Sequence, residues 1–305
     1  MIEYERNSGM KRVLISGASG LIGSAMVRSL ERADAAVVRL VRGTPRNAEE
    51  IGLDSREDLA RATVSGFDAV IHLAGESVVG RWSEAKKKKI RESRVQGTAN
   101  LANALAATQI KPKVFVCASA VGFYGDRGDE VLTERSDSGK GFLAEVARDW
   151  EAAALLASDA GIRTVNLRTG LVLSANGGAL AKVLPPFRLG LGGRLGSGQQ
   201  WWSWIHIDDV VGTIHHIMET AELLGPVNLV GPNPARNAEF TKQLASVLHR
   251  PALSPVPGLI LEMVFGRMPA HELFLSSVRA VPEKLVNGGY NFRFPDLRVA
   301  LENLV

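Results

Sequence analysis

Apolar residues in this chain gather into short, β-branched runs separated by longer stretches whose hydrophobic positions recur at helical spacing. Arg12 to Ser16 is the first run; the turn Gly17-Ala18-Ser19-Gly20-Leu21-Ile22-Gly23 follows, then a helical pattern to about Arg32. Further runs at Ala36–Val41, Ala69–Leu73, Val114–Ala118 and Thr164–Leu167 alternate with helical segments, notably Ser83–Ala107 and Phe142–Ala160. Buried strands alternating with helices predict a parallel sheet covered on both faces, because each crossover must return on the same side with a right-handed connection. The expected fold is therefore a doubly wound α/β (Rossmann) sheet with a smaller C-terminal substrate lobe. Between Val41 and Ala69 only Ile51-Gly52-Leu53 offers a third strand.

After Leu171 the character changes. Gly177-Gly178, Pro185-Pro186 and a cluster of glycines from Gly190 to Gly198 make a loop-rich stretch ending in Trp201-Trp202-Ser203-Trp204. The division expected is a dinucleotide-binding domain over 10–175, rejoined by a strand near 226–231, and a smaller lobe over 176–305 with a helix at Ala238–Leu248. Residues 1–9 are polar, and they are read as an upstream extension outside the fold.

The glycine-rich turn carries the first chemistry. In a strand-turn-helix unit the first glycine permits the tight turn, the second lets backbone approach a pyrophosphate, and the third lets helix pack closely on strand. Gly17, Gly20 and Gly23 stand at those places, with Ser19 between them. The free amides near Leu21 and Ile22 and the helix dipole favour an anion there. The end of the second strand reads Leu40-Val41-Arg42-Gly43, with no acidic residue to hold a ribose diol. Arg42 can offer its donor fork to a 2′-phosphate, so NADP(H) is the expected cofactor.

Composition and charge alter this picture little. The 305 residues carry a formal net charge of +4, and Lys86-Lys87-Lys88-Lys89 with Arg91 and Arg94 invites a nucleic-acid reading. Consecutive lysines on a helix point in every direction, and Glu84 and Glu92 flank them, so a solvated face is the expectation and nucleic acid is not. No apolar run reaches membrane-spanning length, no metal-ligand spacing is present, and the single cysteine, Cys117, lies in an apolar run as a small buried hydrophobe. A cytoplasmic protein with no membrane partner is expected.

Several longer motifs carry a resemblance. Besides GASGLIG they are Ile71-His72-Leu73-Ala74-Gly75, Arg94-Val95-Gln96-Gly97-Thr98, Phe123-Tyr124-Gly125-Asp126 and Trp204-Ile205-His206-Ile207-Asp208-Asp209. Over residues 10–305 the chain is similar to the extended short-chain dehydrogenase/reductase superfamily, of the NAD-dependent epimerase/dehydratase kind. Gly80-Arg81-Trp82, the run Pro186 to Gly193, Asn237-Ala238-Glu239-Phe240 and Val264-Phe265-Gly266-Arg267 resemble its atypical epimerase family proteins of the YfcH or SDR39U1 type.

The resemblance implies that Leu73, Ala74 and Gly75 pass beside the adenine ribose, that Val172 runs near the nicotinamide, and that Arg94, with Lys89 one turn earlier, reaches cofactor phosphates or ribose. It implies hydride transfer assisted by Tyr-x-x-x-Lys on the helix after strand five, with a nearby serine. Ser119 is the counterpart of that serine, with Ala120 in the alternative register. The pair itself is absent, since Leu143 and Ala147 stand where tyrosine and lysine belong. Tyr124 is the nearest other phenol, with Arg148 as its cation; it is either a catalytic group or part of the substrate wall. Where relatives use an arginine to clamp a sugar-nucleotide pyrophosphate this chain has Trp202, which with Arg188 and His206 is expected to face a small, less charged substrate. Trp201 and Trp204 are expected to pack the lobe. Two functions remain: an NADP(H)-dependent oxidoreductase or epimerase-like enzyme, and a non-catalytic NADP(H)-binding redox sensor or scaffold. A homodimer through the two long helices is the usual assembly of the superfamily.

Overall fold

The computed structural model describes residues 11–52 and 64–305. The stretch 1–10 and Leu53, last residue of the expected third strand, lie outside the described residues. Seven strands form one parallel sheet: β1 Arg12–Ser16, β2 Ala36–Val41, β3 Glu50–Gly52, β4 Ala69–His72, β5 Val114–Ala120, β6 Arg163–Thr169 and β7 Gly225–Leu229. The helices used below are α1 Leu21–Arg32, α2 Glu84–Ala106, α3 Phe142–Asp159, α4 Gly178–Arg188, α5 Ile207–Glu219, α6 Asn237–Val247 and α7 Gly258–Phe265.

The strand order is β7-β6-β5-β4-β1-β2-β3. β1 therefore pairs with β2 on one side and β4 on the other, aligning Val13 with both Val37 and Ala69. The winding reverses at β1, and in open α/β sheets ligands bind in the crevice beyond the strand ends at such a point.

Both faces of the sheet are covered, and the two-residue period of β1 shows how. Val13 and Ile15 pack with Met26 and Leu30 of α1 and Ile214 and Ile217 of α5. Leu14 points the other way, into a core with Leu101 and Leu105 of α2 and Trp150 and Ala154 of α3. Trp150 donates its indole N–H to Thr98 Oγ1 at 2.7 Å, so the α2–α3 contact buries a polar atom with its partner supplied. Ser83 caps α2 by accepting from the Lys86 amide.

The loop-rich stretch expected after Leu171 instead contains α4, which carries Pro185 and Pro186 inside it. Leu180, Leu184 and Phe187 are buried along one of its faces. That burial outweighs the hydrogen bonds the prolines remove near the helix end. With Leu173, Trp204, Phe240 and Leu301 these residues form a third core away from the sheet.

The last fifty residues are tied to the rest by buried polar groups. The Asp209 carboxylate accepts the amides of Arg293 at 2.7 Å and Phe294 at 2.9 Å. Glu134 Oε1 accepts those of Asn228 and Lys284, at 3.0 and 3.3 Å. Ser203 Oγ donates to the Val278 carbonyl and accepts from the Ala280 amide, both at 2.8 Å. Among the described residues no helix is long and apolar enough to cross a membrane.

Candidate functional site

The turn between β1 and α1 is built by close backbone approaches. Gly17 has φ +73°, and a Cβ there would lie 2.7 Å from the Leu73 carbonyl carbon. At Gly23 a Cβ would stand 2.1 Å from the Gly17 carbonyl oxygen. Only glycine fits either place. Gly20 is exposed at the N-terminus of α1, whose first turn has no acidic residue. The amides of Leu21, Ile22 and Gly23 find no acceptor among the described residues, so they point a positive helix end into the crevice. Ala18, Ile22, Leu73 and Val172 pack against the same core, and Gly177 and Gly178 close onto Leu21. Below the turn Ser16 Oγ lies 2.6 Å from His72 Nδ1, and burial pushes the His72 imidazole down to about 4, leaving it neutral.

Beyond β4 the loop Leu73-Ala74-Gly75-Glu76 is pinned to α2. Ser93 Oγ accepts the Glu76 amide at 3.0 Å, and Arg94 donates to the Glu76 carbonyl at 2.8 Å. The Arg94 guanidinium lies directly beneath Gly75, where a Cβ would be 3.3 Å from it, and over the Trp150 ring. Burial pulls its pKa down to about 10. Lys86 Nζ donates to Glu76 Oε1 at 2.6 Å. That hydrogen bond first, then the charges of Lys86, Lys89 and Arg42, hold the Glu76 carboxyl below its ordinary range. The exposed Arg42, just past Val41 at the end of β2, thus shares one electrostatic neighbourhood with Lys86 and Lys89. Sequence reasoning named Arg42, Lys89 and Arg94 but missed Glu76, Lys86 and Ser93; Lys86 was lost in the four-lysine run.

At the end of β5 the geometry differs from expectation. Ser119 Oγ donates to Glu151 Oε1 at 2.7 Å, and Glu151 takes Arg168 in two hydrogen bonds of 2.8 and 2.9 Å. Arg168 also donates to the Tyr124 oxygen at 3.0 Å. That hydroxyl donates to Asn228 Oδ1 at 2.7 Å, with the Thr133 carbonyl 2.9 Å away. Tyr124 is wholly buried, and burial raises its pKa although Arg168 opposes the shift. Its cationic neighbour is Arg168, which sequence reasoning missed; the expected Arg148 is exposed. Leu143 and Ala147 occupy the tyrosine and lysine places on α3, with Leu143 against Gly122 and Ala147 buried. The amides of Phe142 and Leu143 donate to the Glu272 carboxylate at 3.0 and 2.7 Å.

Of the three residues expected to face substrate, His206 and Trp202 are engaged within the protein. His206 is 1% exposed, caps α5 by accepting the Asp208 amide, and stacks on Phe294 at 3.9 Å. Trp202 packs edge-on against Phe240 and joins the third core, while Trp204 lies in that core. Trp201 donates to Asp129 at 2.7 Å. Arg188 is exposed at the end of α4. Among the described residues no group of His, Cys, Asp and Glu is arranged to hold a metal ion.

Residues 13–250 match the NAD dependent epimerase/dehydratase family, and residues 256–304 match a domain of unknown function, DUF1731. An epimerase family protein of Mycobacterium bovis is 40% identical over 291 residues, 95% of this chain and 96% of its own. The human epimerase family protein SDR39U1 is 37% identical over 298 residues, covering 96% of this chain and 99% of its own. A crystal structure of human SDR39U1 (isoform 2) with NADPH matches 96% of this chain and 98% of that one, at a TM-score of 0.90 and 35% identity. A nucleoside-diphosphate sugar epimerase structure from Corynebacterium glutamicum gives a TM-score of 0.79 at 36% identity, over 98% of this chain and 60% of that one. The winding of the sheet, the glycine-rich turn at its switch point and these matches over nearly the whole length lead to one statement: the chain belongs to the NAD-dependent epimerase/dehydratase family.

Proposed function

We propose that this protein binds NADP(H) in the crevice beyond β1 and β4 and acts as an oxidoreductase on a small, weakly charged substrate. The observation that carries the reading is the gathering of Arg42, Lys86 and Lys89 about Glu76, beside the end of β2. A 2′-phosphate needs such a cationic site, and an NAD-selective site places a carboxylate at the strand end instead. The residues fit the dinucleotide elsewhere too. Gly17, Ser19 and Gly20 would leave room for the pyrophosphate, with the unpaired amides of Leu21, Ile22 and Gly23 as donors. Leu73, Ala74 and Gly75 would follow the ribose, with Arg94 fixing that loop from below, and Val172 would border the nicotinamide. When bound, that ring supplies a hydride donor or acceptor.

The chain's own contribution is then positioning and exclusion of water rather than proton transfer by a phenol. Tyr124 serves in this reading as a structural hydroxyl, since its oxygen is engaged on every side. Ser119 keeps its place as the substrate-orienting group, held by Glu151. Arg188 and Trp202 are retained only as outer walls, His206 as a helix cap. A second reading, an NADP(H)-binding redox sensor or scaffold, is favoured by one observation: Leu143 and Ala147 leave no titratable group where the family's acid-base pair stands. Under either reading we place the cofactor domain at 10–175 and the smaller lobe at 176–305, and assembly as a homodimer across α2 and α3.

Titration calorimetry of NADPH, NADP, NADH and NAD into the full chain and into Arg42→Ala tests the reading. Preference for the phosphorylated pair, falling by roughly tenfold or more in the variant, supports it, because a charge-assisted hydrogen bond contributes about 1.5–3 kcal/mol. Equal affinity for both pairs, unchanged in the variant, overturns it. A carbonyl-substrate panel followed at the NADPH absorbance then separates enzyme from sensor.

A further inference from the structure

Far from the glycine-rich turn, basic and apolar groups share one face of the smaller lobe. An open groove of about 710 Å³ runs along α6, between its face from Ala238 to Ser246 and the segment 249–255. Its walls carry Arg194, Lys242, His249 and Arg250, and no carboxylate. Among the described residues Arg194, Lys242 and Arg250 form no ion pair. Arg298, which reaches Ser246 on the same wall, is by contrast neutralised by Glu302 at 2.8 Å. Backbone carbonyls fix two of the three cations without cancelling their charge: Arg194 donates to Ser197 at 2.6 Å, and Arg250 to Arg188 at 3.0 Å.

The border of this groove is apolar and faces water. Leu189, Leu191 and Leu253 are 74, 62 and 83% exposed. They sit on two loops joined by the Leu191–Ala252 bridge and the Arg250–Arg188 bond. Past Leu253 the four residues from Ser254 to Pro257 lead into α7, an almost wholly apolar helix with only Leu261 buried; Leu259 and Met263 are among its exposed side chains. Exposed apolar side chains gathered beside uncancelled cations mark a binding face.

We propose that this face docks on an anionic phospholipid surface, with Arg194, Lys242 and Arg250 at the phosphates and Leu189, Leu191, Leu253 and α7 entering the interfacial zone. Charge decides among the occupants. A second copy joined through this face by a two-fold axis would bring the uncancelled cations against themselves. A bilayer of anionic lipids presents phosphates and accessible hydrocarbon together. It also conforms to three protruding leucines and a helix without needing a matched rigid counterpart.

The test is co-sedimentation of the full chain with vesicles of phosphatidylcholine alone and of phosphatidylcholine mixed with phosphatidylglycerol. Binding is expected to the mixed vesicles only, to weaken with salt, and to fall about fivefold for each cation neutralised in Lys242→Gln and Arg250→Gln. Leu189→Ser with Leu253→Ser should weaken it at unchanged charge. Melting temperature and NADPH titration of every variant report folding and the cofactor site separately, so failure of the cofactor reading leaves the vesicle result intact. No binding to the mixed vesicles overturns the proposal. So does binding insensitive to these substitutions, self-association in solution abolished by Leu253→Ser, or equal retention of the chain by soluble polyglutamate.

Discussion

Replacing Arg168 by methionine perturbs a buried charge that donates four hydrogen bonds. The side chain is 4% exposed and donates to Glu151 Oε1 and Oε2, the Tyr124 oxygen and the Glu134 carbonyl. Its guanidinium also lies 3.5 Å from the centre of the Phe123 ring. Methionine fills the space but leaves the Glu151 carboxylate, 12% exposed, with only the Ser119 hydroxyl. Breaking one side of such a buried pair costs about 3–5 kcal/mol. In a chain of this size roughly 2 °C of melting temperature accompany each kcal/mol, so the midpoint should fall by roughly 6–10 °C. Arg168→Met with Glu151→Met removes both charges together and should recover most of the loss, because a buried pair replaced by apolar groups is often neutral. Calorimetric melts of wild type, both single variants and the double variant measure this. A drop below about 2 °C, or a double variant no better than Arg168→Met, refutes the reasoning.

Other outcomes follow from the same geometry. Gly23→Ala forces a methyl to 2.1 Å from the Gly17 oxygen; NADPH binding should be lost and the melting temperature lowered, as titration and calorimetry would show. His72 is held at about 4 against an ordinary 6.5. The unfolded chain therefore binds the proton first as pH falls, and its stabilisation, whole above 6.5, should disappear by pH 4. The loss is on the order of 3 kcal/mol; melts across this window should flatten in His72→Asn, and an unchanged slope would disprove the assignment. The Cys117 thiol is buried and pushed up to about 12, so a thiol reagent should label it only as fast as the native state opens.

What the sequence disclosed, and what it withheld, follows from how local each signal is. The glycine turn and strands β1, β2, β4 and β5 rest on contiguous residues whose pattern needs no partner to be read. α4 was missed because Pro185 and Pro186 signal a break, while the burial of Leu180, Leu184 and Phe187 that overrides them depends on the distant Trp204 and Leu301. Likewise Arg168 sits on a strand with no motif of its own, and only folding brings Glu151 and Tyr124 to it. Motif matching named Tyr124 and His206 as site groups, but a motif carries no information about the direction of a side chain. Both turned inward, onto Asn228 and Phe294.

The amides of Lys284, Arg293 and Phe294 belong to the stretch matched by DUF1731, yet the carboxylates that receive them, Glu134 and Asp209, belong to the stretch matched by the epimerase family. Two patterns recognised separately along the chain are one folding unit. A gene cut between them would leave Asp209 without its tail amides and Glu134 with the Asn228 amide alone on one side, and orphaned amides on the other. The tail can diverge only in step with the two acids that hold it.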